Sequence, residues 1–432
     1  MFMSKKPNDK SLLNLRQRVG LVSIIFFGAT AILLLSYYCE NVFKSTLISV
    51  FFVLESISIL FWFYDPLIYV VSRIFKRKIK PPLPPTPDRL NRFAVIGCAH
   101  NEERVIEELI NSLFDMNYPR EMFDVFVICD NCTDDTASVV RKAGAHAMER
   151  NDPDERGKGF GLEWMFGILK KRQEAGDIYD AYVILDADNL VNDNFLTAIN
   201  EKMNQGYEIL QAYLACKNPS DTWISKSYSY SYWISNANYQ HAHSRLGLTA
   251  QMGGTGMILR PCVLEDVPWE TDSLTEDLVL TARYVLEKNK PCAWVHGARL
   301  YDEKPLRTKP SSKQRTRWMQ GHMDAMFRYG PKLLWSGIKN LSLKQFDMAF
   351  YLMRPMLNLL MFVCYVLKWL GVIVGALSFL VGSLMNARTA ILLLTSYLLL
   401  HMYILFLENY GRYIRWIPIQ MLFSLTWYVA DI

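Results

Sequence analysis

The 432-residue chain predicts a doubly wound parallel α/β sheet on the cytosolic side of a membrane, flanked by transmembrane helices. Three observations carry this expectation. Between residues 92 and 330 short apolar strands alternate with amphipathic helices. Apolar runs at both ends reach the roughly 20 residues that cross a hydrocarbon core. Basic residues gather at the inner ends of the first two runs, which orients them by the positive-inside rule.

Taken in order, Lys5, Lys6, Lys10, Arg16 and Arg18 mark a cytosolic N-terminus over 1–18 and precede a first apolar run, 19–38. The second run, 46–71, is followed by Arg73, Lys76, Arg77, Lys78 and Lys80, whereas the link between the runs holds only Glu40 and Lys44. Residues 19–72 therefore predict a two-helix hairpin with its tip outside. The first run is too long for a cleavable leader and the second follows at once. The basic, proline-rich segment 73–91, with PPLPPTP at 81–87, reads as a semi-rigid linker. Residues 92–330 form the cytosolic domain, 331–349 an interfacial amphipathic segment, and 350–432 about three further spans. The last three runs are 350–384, 389–407 and the short 416–432.

The cysteines are scattered, and Cys98, Cys129, Cys216 and Cys292 fall in apolar stretches, as reduced, buried thiols do. Cys129 and Cys132 make a C-x-x-C with no second pair, which reads as structural. The net charge of +5 gives no reason to expect nucleic acid.

Within the central domain, strands are expected at 93–98, 125–130 and 181–185, and helices from Glu102, Thr133 and near Lys158. In a sheet of this kind ligands bind beyond the carboxyl ends of the strands, and acids stand there. The first strand runs into His100-Asn101-Glu102-Glu103, the second into Asp130-Asn131. Thr133 suits a helix N-cap, with Asp134 and Asp135 in the first turn. Asp130 is not explained by capping, since it interrupts the end of an apolar strand. The third strand ends in Asp186-Ala187-Asp188. Residues i and i+2 of an extended segment point the same way, so both carboxylates can meet one hard divalent cation.

Lys158, between Gly157 and Gly159, opens a helix where a lysine can meet phosphate; a solvated lysine at a helix entry accounts for it equally well. Thr275-Glu276-Asp277 also opens a helix. Its acids suit the helix dipole, and either can take a proton from a hydroxyl. Gln314-Arg315-Thr316-Arg317-Trp318 lies on a helix beside the C-terminal apolar region, fit for phosphate and sugar contacts or for a membrane surface.

This ordered set, N-E-E, a strand-ending Asp, G-K-G, D-A-D, G-G-T-G, T-E-D and Q-R-T-R-W, resembles the family 2 glycosyltransferases. The likeness is to the processive membrane synthases that make hyaluronan, cellulose and poly-N-acetylglucosamine. It covers roughly 93–329. The resemblance implies a GT-A fold, a nucleotide-sugar donor (usually a UDP-sugar), a Mg2+ or Mn2+ ion, and inversion at the anomeric carbon. It implies donor contacts from Glu102, Asp130, Lys158, Asp186, Gln314 and Arg317, and metal ligation by Asp188 with Asp186. It further implies a general base at Asp277 and an acceptor site lined by Gly254, Thr255, Glu276 and Trp318. Asn131 departs from the pattern, many relatives having a second Asp there.

The expectation is a multi-pass enzyme of the plasma membrane, bacterial in type, that polymerises and exports a β-linked polysaccharide with its catalytic domain in the cytosol. Glu55 and Lys368 interrupt the spans and would face each other or a glycan path. The alternative is a single transfer to a membrane lipid, such as a diacylglycerol, a ceramide-like lipid or a polyprenyl phosphate. A catalytically dead scaffold would have lost Asp188, Asp277 or Arg317, and all three are present.

Overall fold

The computed structural model describes residues 63–75, 83–84, 86, 88–369 and 387–427, those of 361–369 and 387–394 by backbone alone. Eight strands form one sheet in the order β3-β2-β1-β4-β7-β6-β8-β5. They are β1 (Phe93–Ala99), β2 (Phe123–Asp130), β3 (His146–Arg150), β4 (Ala181–Asp186), β5 (Leu190–Val191), β6 (Ile209–Cys216), β7 (Met257–Leu259) and β8 (Ala293–Asp302).

The half that carries the motifs is parallel: β1 pairs with β2 and β4, and β2 with β3. The other half corrects the all-parallel expectation. The short β7 runs antiparallel between β4 and β6, and β5 antiparallel to β8. A three-residue strand carries too little pattern to be found in the sequence.

Helix α1 occupies 63–74, and α2 (Ile106–Phe114), α3 (Thr136–Lys142), α4 (Lys158–Glu174) and α5 (Phe195–Asn204) follow in the α/β part. Successive strand residues face opposite ways, so β1 divides its side chains between two cores. Phe93 and Val95 meet α2 and α5 on one face; Ala94 and Ile96 meet α4 on the other. Helix α2 buries Ile106, Leu109, Ile110 and Leu113, and α4 buries Leu162, Met165, Phe166 and Leu169. Both sets follow the spacing of one helical face, each large side chain contributing roughly 1.5–3 kcal/mol on burial. Cys129, Cys216 and Cys292 are buried free thiols; Cys98 is only partly buried.

Two helix starts differ from expectation. Helix α2 begins at Ile106, not Glu102. Helix α3 begins at Thr136 because Asp134 Oδ1 accepts from the Thr136 N–H (3.1 Å) and its hydroxyl (2.5 Å). The Thr133 hydroxyl instead donates to Asn101 Oδ1 at 3.3 Å. A side chain that satisfies the backbone locally competes with helix there.

Beyond the sheet come α6 (Trp223–Ser235), a π-helical turn (Asn236–His241), α7 (Ala242–Leu246), α8 (Pro261–Asp266), α9 (Glu276–Lys288), α10 (Thr308–Asn340), α11 (Leu343–Trp369), α12 (Ala387–Leu407) and α13 (Ile417–Leu425). Tyr69 and Val70 of α1 and Leu400 and Ile404 of α12 pack around Tyr230 and Trp233 of α6. Polar ties join the same parts. His243 of α7, fully buried, bonds Asp347 of α11 through Nδ1 (3.0 Å) and lies 3.5 Å from Asp65 of α1 through Nε2. Tyr64 donates to Asp347 at 2.8 Å.

Among the described residues no helix is long and apolar enough to cross a membrane. The expected span 19–38 and most of 46–71 lie outside the described residues, as do 370–386 and 428–432, Glu55 and the side chain of Lys368.

Gly256 fastens the two halves of the sheet. Its N–H donates to the Ile184 carbonyl and its own carbonyl accepts from Ala212, both at 2.8 Å. Its φ is +62°, and a β-carbon there would stand 2.3 Å from Leu300 Cδ2. Gly256→Ala should cost about 1–3 kcal/mol through backbone strain and overpacking. A drop in the thermal midpoint of the purified variant checks this; an unchanged midpoint contradicts it.

Candidate active site

The carboxyl ends of β1, β2 and β4 open onto one cleft, and the acids expected at strand ends are there. Asp130 is 8% exposed. Arg150 Nη1 donates to its Oδ1 at 2.9 Å and the Gly157 N–H to its Oδ2 at 3.3 Å. Asn131, with φ +51°, donates to Asp130 Oδ1 at 3.2 Å and accepts from the Asp152 N–H at 3.0 Å. An amide can do both, whereas an ionised aspartate can only accept, so the departure at this position has a local structural use. Glu102 is fixed through its N–H, which donates to Thr136 Oγ1 at 2.9 Å. Burial, with Asp134 and Asp186 nearby, raises its carboxyl above the ordinary range.

Lys158 opens α4 and reaches into the cleft. Its ammonium pairs with Asp186 and donates to the Gly254 carbonyl at 2.6 Å. Burial acts to lower its pKa, but the charge and hydrogen bond of Asp186 and the charge of Asp277 outweigh this and the net shift is upward. Lys158 is therefore a fixed cation and not a solvated lysine.

The D-A-D turn is held from behind. Asn189 Oδ1 and Thr255 Oγ1 both accept from the Asp186 N–H at 3.1 Å, and the Thr255 hydroxyl donates to Asn189 Oδ1 at 2.5 Å. Thr255 is 3% exposed. Its hydroxyl faces inward to brace the turn.

Asp188 accepts only from Asn189 Nδ2, at 3.0 Å, and no basic side chain pairs with it among the described residues. Burial and then Asp302, Asp186, Glu102 and Glu303 push its carboxyl up to about 7. Asp302 and Glu303 at the end of β8 went unseen in the sequence. They obey the same strand-end rule as Asp130, but the irregular run of β8 hid the strand.

Asp302 pairs with Lys304 and Asp186 with Lys158, but Asp188, Glu102 and Glu303 have no ion-pair partner among the described residues, and such carboxylates suit a hard divalent ion such as Mg2+ or Mn2+. Among the described residues no group of three His, Cys, Asp or Glu side chains closes around a metal ion by itself. Asp186 already shares its charge with Lys158, which leaves Asp188 the freer ligand.

Across the cleft, Glu276 and Asp277 start α9. A β-carbon on Gly159 would lie 2.3 Å from Glu276 Oε1, and one on Gly254 would lie 3.7 Å from Asp277 Oδ2. The glycines of G-K-G and G-G-T-G thus let the T-E-D carboxylates approach. Burial raises Asp277 to about 6; Glu276 adds to this, and the Leu278 N–H and Lys158 oppose it. Glu276 is also raised, by burial against the pull of Lys158 and Arg317.

Helix α10 closes the far side. A β-carbon on Gly321 would stand 2.5 Å from Thr275 Oγ1, and the Thr275 hydroxyl is buried without a hydrogen-bond partner. Thr275 sits at the N-cap of α9 but makes no side-chain cap. Gln314 Oε1 is likewise buried and unpaired. Arg317 is exposed and within electrostatic reach of Glu276. Trp318 is partly buried, its ring edge-on to Tyr228 at 6.4 Å. Arg315, which the motif leaves unassigned, is buried and donates to Thr426 at 2.7 Å.

Residues 91–321 match the family described as Glycosyltransferase like family 2. The Bacillus subtilis protein named "Probable glycosyltransferase YdaM" is 23% identical over 56% of this chain and 57% of its own. A beta-monoglucosyldiacylglycerol synthase of Nostoc sp. is 23% identical over 62% of this chain and 55% of its own. The match thus spans a little over half the length of these relatives. Among solved structures, the mannosyltransferase PcManGT of Pyrobaculum calidifontis, in complex with GDP-Man and Mn2+, aligns with a TM-score of 0.55 at 17% identity, over 88% of this chain and 97% of its own. That likeness concerns the fold, which is the Rossmann-like GT-A fold. With more than half of its length matched, the chain belongs to the family 2 glycosyltransferases.

Proposed function

We propose that the chain moves a sugar, with inversion, from a nucleotide-sugar (in the first instance a UDP-sugar) onto a hydroxyl of a membrane lipid. The observation that carries this is the position of Asp277. It is a buried carboxylate lifted to about 6, beside Gly254 and across the cleft from Lys158, Asp186 and Asp188. A carboxyl tuned toward neutrality is a competent general base.

Asp277 takes the proton of the acceptor hydroxyl as its oxygen attacks the anomeric carbon. The bond from that carbon to the diphosphate oxygen breaks, and the nucleoside diphosphate leaves with the electron pair. A single displacement inverts the carbon and needs no second carboxylate as nucleophile. Lys158 and Arg317 offset charge on the diphosphate, Gln314 supplies an unpaired carboxamide oxygen, and Glu102 and Asp130 hold the nucleoside. Asp188, with Asp186, would hold a divalent cation, which supplies further positive charge against the leaving group when bound. Glu276 and Trp318 line the acceptor side.

A relative named as a monoglucosyldiacylglycerol synthase and the apolar runs at 19–38, 46–71, 350–384, 389–407 and 416–432 support a lipid acceptor and a membrane location with the catalytic domain in the cytosol. Polymerisation and export of a β-linked polysaccharide is the second reading, favoured by the number of apolar runs in the sequence.

The pH profile tests the base. With saturating metal and acceptor, kcat/KM should fall as pH drops below about 6, because a protonated Asp277 cannot accept the hydroxyl proton. A profile that stays flat through that region contradicts the assignment.

A further inference from the structure

Near Trp318 lies an open cleft of about 740 Å³ that the reaction does not use. Its chemistry is divided. Arg307, Lys309 and Lys313 line it together with Trp223 and Leu306, and no acidic residue does. No carboxylate among the described residues pairs with any of the three cations, in contrast to Lys158, Arg150 and Arg328. Trp223 and Leu306 are 43% and 44% exposed, so an apolar face stands beside the charges.

The backbone adds to the positive field. Both α6 and α10 begin at this cleft; the α6 start is closed by Thr222 and Ser225, each accepting from the other's backbone N–H, so the uncapped start is that of α10. Helix α10 has no acid in its first turn and no side-chain cap. Three cations without carboxylate partners in a concave site beside the uncapped start of α10 suit a phosphate oxyanion. The cleft neighbours Trp318 of the candidate acceptor side through Ile224, which lines it. Lys313 directly precedes Gln314 on α10, and Ile224 belongs to the cluster of Tyr228 and Phe423 against which Trp318 packs.

We propose that this cleft binds the phosphate of an acceptor-side ligand, the cations taking the phosphate and Trp223 and Leu306 an adjoining apolar portion. The proposal deepens the glycosyl-transfer reading by choosing a phosphate-bearing acceptor over a neutral diacylglycerol, and it rests on that reading only for the word acceptor. Phosphate on a lipid headgroup and phosphate on a soluble ester share this chemistry.

The test is calorimetric titration of the full chain in neutral detergent, with no donor present, using dihexanoyl phosphatidylglycerol, dihexanoylglycerol and inorganic phosphate. The wild type should bind the phosphatidylglycerol, and R307Q/K313Q should bind it about ten-fold more weakly or worse. R307K/K313R should retain it, and UDP binding should stay within about two-fold in all three, which shows that each is folded. Competition by inorganic phosphate assigns the site to phosphate alone; its absence assigns it to lipid-borne phosphate, and either supports the shared chemistry. Equal binding of dihexanoylglycerol, no binding by the wild type, or unchanged affinity in R307Q/K313Q overturns the proposal. Because the titration contains no sugar donor, its failure is distinct from a failure of glycosyl transfer.

Discussion

Asp277→Asn should lower turnover by at least about 10²-fold while leaving nucleotide-sugar affinity nearly unchanged. The exchange preserves volume and can keep the bond from the Leu278 N–H, but an amide cannot take the acceptor proton. The same variant should not be destabilised. Asp277 is raised from 3.8 to about 6 by burial, so its stabilising contribution is complete below its unfolded pKa and lost as pH rises through about 6. At neutral pH its ionised form is therefore unfavourable in the fold, and the neutral amide removes that penalty. Activity lost with a level or higher thermal midpoint identifies a chemical role. Activity lost together with stability would make Asp277 a structural carboxylate.

Asp188→Ala should act on a different step. Metal-dependent donor affinity should fall by at least about ten-fold, toward the value wild type shows in a chelator. Asp188 lies among Asp302, Asp186, Glu102 and Glu303 and is pushed up to about 7, while Lys158 is engaged by Asp186 and Gly254 and Lys304 by Asp302. A carboxylate so placed gains most from a divalent ion. Removing it also relieves repulsion, so the variant should fold, and nucleotide binding in the presence and absence of manganese provides the comparison. If manganese strengthens donor binding equally in wild type and variant, Asp188 is not a ligand.

The sequence made β1, β2 and β4 legible because they are largely apolar and β2 and β4 end in an acid, whereas β3, with His146, Glu149 and Arg150 in five residues, carried no such pattern. Asp130, Asp186 and Asp188 stand out for that reason: a charge that ends a buried strand has no explanation in packing. Where a role depends on a contact across the fold, the sequence is silent. Nothing local reveals that Gly159 is required by Glu276, that Thr255 turns inward to hold the D-A-D turn, or that Arg315 and not Arg317 is the buried arginine of α10. Thr133 misled because capping was assigned by residue type; the carboxylate of Asp134 won the Thr136 N–H. The short β7 and the irregular β8 lacked the alternation that would have exposed them, and Asp302 and Glu303 were lost with β8.

The central claim is a single, inverting, metal-dependent transfer from a nucleotide-sugar to a lipid hydroxyl. It is tested most directly with the full chain in membranes, a panel of radiolabelled UDP-sugars, and manganese or magnesium with and without chelator. Nucleotide release, product size and anomeric configuration are followed together. The account predicts metal-dependent release with one of the donors, and a small, solvent-extractable product whose anomeric configuration is opposite to that of the donor. A product that retains the donor's configuration, or a long, glycosidase-sensitive polymer, would contradict it.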